Sequence, residues 1–169
     1  MPIIGLVKTC FGDGTVAITR DFDDFKRIVD LGITIIAIDG TERIYNQCSG
    51  PDFINQCKSE YPDVEIVPDI STTSEAIICH EIGSDAIATT LRGYTPETKE
   101  TLTESFDLIF LRELFNDLPN SKIIAEGRIN NHKQFLEIRN YQPFTIVIGK
   151  AISDPKYITS IFDNRSISE

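Results

Sequence analysis

Apolar, β-rich runs recur along the chain, each followed by a loop and then by a stretch of helical period. The runs are IIGLV (3–7), TIIAID (34–39), VEIVPDI (64–70), DAIATTL (85–91), KIIAEG (122–127) and FTIVIG (144–149). They are near-continuous rather than alternating, the pattern of strands covered on both faces. Amphipathic segments lie between them. DFDDFKRIVDLG (21–32) places Phe22, Phe25, Ile28 and Val29 on one face and stops at Gly32. STTSEAIICHEIGS (71–84) opens with Ser or Thr as N-cap and Glu75 in the first turn, and closes on Gly83. PDFINQCKSEYP (51–62), FDLIFLRELFNDLP (106–119), NHKQFLEIRNY (131–141) and PKYITSIFDN (155–164) are read as helices too.

Strand alternating with helix implies parallel strands joined by right-handed crossovers, an α/β fold. No linker or low-complexity tract divides the 169 residues, so 1–169 is expected to form a single domain. An open doubly wound sheet and a barrel both fit this order. Polar residues decide between them. They cluster where each strand hands over to its helix: Lys8, Asp39, Asp69, Thr89 and Thr90, Glu126 with Arg128, then Gly149 and Lys150. All the strands contribute, and in a barrel those ends converge on one mouth. In an open sheet only the ends beside the switch point meet. The expected architecture is therefore of the TIM-barrel type.

The net charge of −10 argues against a polyanionic partner such as nucleic acid. A small anion remains possible, because a few N–H groups and one or two cations can hold it. Cys10, Cys48, Cys57 and Cys79 show neither C-x-x-C nor zinc spacing. With no signal peptide and no long apolar stretch, reduced thiols in a cytoplasmic protein are expected, with no membrane partner.

PIIGLVK, IAIDGTER, PDIST, TTLRGYT, IAEGRIN and VIGKAI resemble, in order, the strand-end motifs of N-acetylmannosamine-6-phosphate 2-epimerases. The resemblance covers nearly the whole chain, and TTLRGYT and AEGRI are its most specific parts. It implies a (β/α)8 barrel and an isomerase that needs no metal or organic cofactor. The reaction implied interconverts N-acetylmannosamine 6-phosphate and N-acetylglucosamine 6-phosphate, a step of amino-sugar and sialic acid catabolism. The opening motif resembles the third strand of that barrel, so the chain is expected to correspond to strands three to eight. It would thus be truncated to about six β/α units, without the family's Cys-Gln on strand one and Arg on strand two. Open sheet edges would then invite pairing, implying a homo-oligomer or a partner chain supplying the missing strands.

Inverting C2 requires a base on one face, an acid on the other and a group to hold the enolate oxygen. The resemblance points to Lys8 and Glu126 as the proton-transfer pair. A lysine closing an apolar strand is expected to be partly desolvated, and Glu126 stands at the rim of the core. A snorkelling Lys8, or an ion pair from Glu126 to Arg128 or Lys8, are the plainer alternatives. Asp69 could orient Lys8 or a sugar hydroxyl, or simply cap the helix that follows. Asp39, Arg43 and Thr90 match strand-end positions of the family and are expected to contact substrate, a surface ion pair being the alternative for Arg43. Gly127 and Arg128, with Gly149 and Lys150, fit a phosphate site after the last two strands. Lys150 stands where the family usually has a small residue, and Asp154 where it usually has an arginine. Phe11-Gly12-Asp13-Gly14 reads as a tight turn, His80 and His132 as surface or packing residues, and Cys10 as a small buried hydrophobe, a reactive thiol close to Lys8 being the alternative. A phosphosugar-binding or regulatory relative without catalysis, or a structural subunit, are the competing readings.

Overall fold

The computed structural model describes residues 1–10, 15–101 and 105–162. The strands are β1 (Ile4–Gly5), β2 (Lys8–Cys10), β3 (Val16–Ile18), β4 (Ile35–Asp39), β5 (Glu65–Asp69), β6 (Ile87–Ala88), β7 (Ile123–Glu126) and β8 (Thr145–Val147). The helices are α1 (Phe22–Asp30), α2 (Gly50–Glu60), α3 (Thr73–Glu81), α4 (Leu108–Asp117), α5 (His132–Arg139), α6 (Lys150–Ser153) and α7 (Pro155–Ile161). Parallel pairing runs in the order β1-β4-β5-β6-β7-β8, and β2 and β3 form a separate antiparallel hairpin. Every helix expected from the periodicity is present.

Local chemistry sets the helix starts. Asp21 caps α1 by accepting from the amides of Asp23 and Asp24. Thr72 and Glu75 form a capping box on α3, each side chain bonding the other's backbone N–H. The Glu75 carboxylate also accepts from the Ser71 amide and hydroxyl, 2.8 Å each. Capping of α3 is thus complete without Asp69, which excludes the capping alternative for that residue. Gly50 opens α2 hard against the end of β4, where an added methyl group would collide with the carbonyls of Asp39 and Thr41.

The sheet has two differently filled faces. Ile36, Ile38, Ile66, Ile123 and Ala125 pack with Phe25, Phe53, Phe110, Leu111 and Leu114 of the helices in the main core. Val67, Ala88 and Ile124 form a smaller cluster, and Ala37 packs with Ile18 and Leu91 in another. Successive strand side chains alternate between faces. Asp39 therefore shares a face with Ala37, Asp69 with Val67, Thr90 with Ala88 and Glu126 with Ile124. The polar strand ends stand together on the inner face, one layer above a small apolar floor.

The start of the chain departs from expectation. The first run gives only the two-residue β1, and Ile3, Ile4 and Leu6 are 59%, 41% and 48% exposed. β1 is an edge strand paired only with β4, so one side of it is uncovered among the described residues. Lys8 does not close that strand. It opens β2, opposite Ile18 of β3, and is exposed rather than partly desolvated. Thr19 anchors the hairpin: its amide donates to Val7 O at 2.7 Å, and its hydroxyl accepts from the Val7 amide at 3.0 Å. Thr19 is buried and holds φ at +45°, a left-handed conformation that its tertiary contacts impose. Cys10 is exposed, not buried, because it ends the same hairpin strand. The Phe11–Gly14 turn lies outside the described residues. DAIATTL yields only Ile87–Ala88, because Asp85 is recruited at its start to accept from Lys58 and from the Ile66 amide, 2.9 Å each.

Candidate active site

Asp39 and Asp69 lie side by side in register at the ends of β4 and β5, but their surroundings differ. The Asp39 carboxylate accepts from Arg43 Nη2 at 2.6 Å, from the Thr41 hydroxyl at 2.6 Å and from the Thr41 amide at 3.0 Å. Arg43 also donates to Val16 O and to the Thr41 hydroxyl, 2.9 Å each, tying the hairpin to β4. The pair is buried, Asp39 fully, so it is not the surface ion pair that the sequence allowed. Arg20 completes the knot. Its guanidinium donates to Asp39 O, Arg43 O and Cys48 O at 3.3, 3.2 and 2.6 Å and stacks over the Tyr45 ring. Nothing in the sequence pattern singles out Arg20, since it stands in the short loop between β3 and α1.

Among the described residues Asp69 has no such cation. It is 3% exposed, and Thr90 Oγ1 donates to its Oδ1 at 2.5 Å. Burial holds this carboxyl well above the usual aspartate range; the Thr90 hydrogen bond opposes that rise, and the charges of Glu126 and Asp39 reinforce it. Glu126 ends β7 on the same face. Burial raises its carboxyl too, opposed by a Thr90 hydrogen bond and by the nearby charge of Lys8. Among the described residues Glu126 makes no ion pair within 4.0 Å, which sets aside the salt-bridge alternative. The Thr89 hydroxyl locks the strand end beneath it, donating to Glu126 O at 2.8 Å and accepting from Glu126 N at 3.0 Å.

After Glu126 the backbone turns sharply, with Gly127 at φ +109° and Arg128 at +54°. Arg128 reaches back over the loop that follows β6. It donates to Arg92 O at 2.8 Å and Ser105 O at 3.3 Å, and lies over the Tyr94 ring. At the end of β8, Gly149 caps α6 and Lys150 lies 4.7 Å from the centre of the Tyr157 ring. Asp154 acts locally, capping α7 by accepting from the Lys156 and Tyr157 amides. Tyr157 in turn donates to Asn130 O at 3.0 Å, joining the ends of β7 and β8.

One cavity of about 1190 Å³ opens across these strand ends. It brings together Lys8, Thr90, Glu126, Gly127, Arg128, Gly149 and Lys150. Asp39, Arg43 and Asp69 are not on its wall: the first two close on each other, and Asp69 lies behind Thr90. Tyr94, Tyr157 and Gln134 line it as well and escaped the sequence reading, because each stands off the strand ends, on a loop or a helix. His80 bonds Ser121 through Nδ1, and His132 stacks with Phe135, consistent with surface and packing roles. All four cysteines are free thiols. Among the described residues no cluster of three or more His, Cys, Asp and Glu side chains suits a metal ion, and no helix is long and apolar enough to cross a membrane.

Residues 1–168 match the family described as "Putative N-acetylmannosamine-6-phosphate epimerase", NanE. The chain belongs to this epimerase family. A relative from Staphylococcus carnosus, a "Putative N-acetylmannosamine-6-phosphate 2-epimerase", is 34% identical over 162 residues, 96% of this chain and 72% of the relative. One of the same description from Mycoplasma mycoides is 37% identical over 153 residues, 90% of this chain and 67% of the relative. The solved structure of the N-acetylmannosamine-6-phosphate 2-epimerase from Clostridium perfringens superposes with a TM-score of 0.83 at 30% identity, over 96% of this chain and 69% of that one. The curled parallel sheet of six strands with its helices is thus the α/β, TIM-barrel-type fold of the NanE epimerases.

Proposed function

We propose that the chain is a hexosamine-phosphate epimerase, acting on N-acetylmannosamine 6-phosphate and N-acetylglucosamine 6-phosphate. The observation that carries this reading is the shared cavity of Lys8 and Glu126, an amine and a half-buried carboxyl of raised pKa beside the glycines and cations of the rim. In the open-chain sugar the C2 proton is acidic because C1 is an aldehyde. Glu126, whose proton affinity burial raises, takes that proton as the base, and the electrons move to O1 as the enolate forms. Lys8, on the wall of the same cavity, returns a proton to C2 from the opposite face. Run backwards, the two groups exchange roles. The Gly127-Arg128 turn and the Gly149-Lys150 helix start receive the 6-phosphate, with Lys150 steadied on Tyr157. Thr90 meets the sugar from the wall, while Asp39, Arg43 and Asp69 support that wall from behind.

The same reading requires the open side of the barrel to be covered in the working particle. Among the described residues β1 and β8 are the edges of the sheet, and a strand edge offers unpaired N–H and C=O groups. A second copy of this chain is the occupant proposed.

Proton NMR of N-acetylmannosamine 6-phosphate in D2O tests the enzyme directly. The C2 signal should disappear and product should form with the wild type, and slow at least ~100-fold with Lys8→Ala or Glu126→Gln. A C2 signal that persists for hours at high protein concentration would reject turnover by this chain. Sedimentation velocity on the same sample should show an oligomer; a clean monomer that still turns over would reject the covering copy.

A further inference from the structure

The net charge of the chain is −10, yet the main cavity is cationic: among the described residues Lys8, Arg128 and Lys150 line it, against the single carboxyl of Glu126. Two of those cations keep their charge unmatched. Neither Arg128 nor Lys150 forms an ion pair within 4.0 Å among the described residues. Asp154 stands only four residues on from Lys150, but its carboxylate accepts from the Lys156 and Tyr157 amides instead. Arg128 donates to the carbonyls of Arg92 and Ser105, which bear no net charge.

What holds Lys150 is an aromatic ring. Its Nζ lies 4.7 Å from the centre of the Tyr157 ring, inside the range of a cation–π contact. Lys150 is exposed and Tyr157 half-buried, so the ring is the more fixed partner. Two hydrogen bonds fasten Tyr157. Its hydroxyl donates to Asn130 O at 3.0 Å, and its amide donates to Asp154 at 3.3 Å. The first reaches the turn after β7, which carries Gly127 and Arg128; the second belongs to the cap of α7, after β8. An exposed lysine has many rotamers to lose when it meets an anion. A ring that holds the ammonium beforehand lowers that cost.

We propose that Tyr157 is the positioning residue of the anion site: its ring presents the Lys150 ammonium to the anion, and its hydroxyl locks that ring to the turn bearing Arg128. The cations that follow β7 and β8 then act as one fixed pair, and the preference for a phosphorylated over a free sugar depends on Tyr157. The sugar in this inference rests on the epimerase reading; the anion rests on the geometry of the cavity.

Inorganic phosphate, titrated by calorimetry into the full chain, reads the site without turnover. Tyr157→Leu should weaken phosphate binding roughly fivefold. Tyr157→Phe keeps the ring and loses only the tie to Asn130, so it should weaken binding by no more than about twofold. In a Lys150→Met background the leucine change should add less than about twofold, because the ring then has no ammonium to hold. Proton NMR of the wild type should place the Lys150 Cε methylene upfield of the other lysines, shielded by the ring. That offset should survive in Tyr157→Phe and vanish in Tyr157→Leu, and its absence from the wild type overturns the proposal even if the leucine variant does not fold. With N-acetylmannosamine 6-phosphate, KM should rise with the phosphate Kd in the leucine variant while kcat stays within about twofold. A leucine variant that binds phosphate like the wild type would overturn the proposal. So would a loss that persists undiminished without Lys150, a phenylalanine variant as weak as the leucine one, or a wild type that binds no phosphate. Phosphate binding in the expected pattern by a protein that leaves the sugar unchanged would reject the epimerase and keep the role of Tyr157. Turnover with an unchanged KM in the leucine variant would reject the role and keep the enzyme.

Discussion

Asp39 and Asp69 are neighbours on paired strands, on one face and at one level of the sheet. Asp39 is met by a guanidinium at 2.6 Å and by two donors of Thr41. Asp69 is met by a single hydroxyl and by the repulsion of two other carboxyls. The first is a closed unit, in which Coulomb attraction and hydrogen bonds offset the desolvation of both ions. The second is an acid that burial makes hard to ionise. Equal depth therefore gives unequal chemistry, and the partner decides. A buried carboxylate with its own cation holds loops in place. One without a cation holds its proton more tightly than a free aspartate does.

Breaking the closed unit should have the largest effect on folding. Arg43→Ala strands the Asp39 charge in the interior and should cost about 3–5 kcal/mol, read as a lower urea midpoint at unchanged slope. A loss below about 1 kcal/mol would mean that Asp39 is relieved by protonation or by water, and the contrast with Asp69 would lapse.

Asp69→Asn sharpens the other side. The native carboxyl holds its proton more tightly than the unfolded one, whose ordinary value is 3.8. Its contribution to stability is therefore full below that pH and is lost as pH rises through the native value. Across that window the wild type should lose about 1.4 kcal/mol per pH unit relative to Asp69→Asn, which carries no titrating group there. Thermal melts of the two proteins at a series of pH values give this slope directly. Parallel curves would show that Asp69 titrates normally.

Asp154 supplies the smallest effect and a control. It is a carboxylate satisfied by two amides at a helix start. Asp154→Ala should cost about 1 kcal/mol of stability by loss of the cap. Its pH dependence should remain that of the wild type through the window in which Asp69 acts. A larger loss would mean that α7 braces the β7 and β8 ends more firmly than the single Tyr157 bond suggests.

Much of this could be read from one chain. Parallel strands, their helices and the polar strand ends follow from periodicity, because side-chain direction along a strand alternates and a buried helix must keep one apolar face. The same alternation puts Asp39, Asp69, Thr90 and Glu126 on one face, and the family's motifs picked out Lys8 and Glu126. The hairpin that carries Lys8 was not legible. It depends on Thr19 reaching back to Val7 across a dozen residues and on Arg43 holding Val16 to β4. Nor could the sequence tell the two aspartates apart, since each simply ends an apolar run. Which of them meets an arginine and which a threonine depends on side chains brought in from other segments. Sequence thus determined the order, the period and the inventory of groups; tertiary structure alone set their pairing and burial, because both are sums over neighbours distant along the chain.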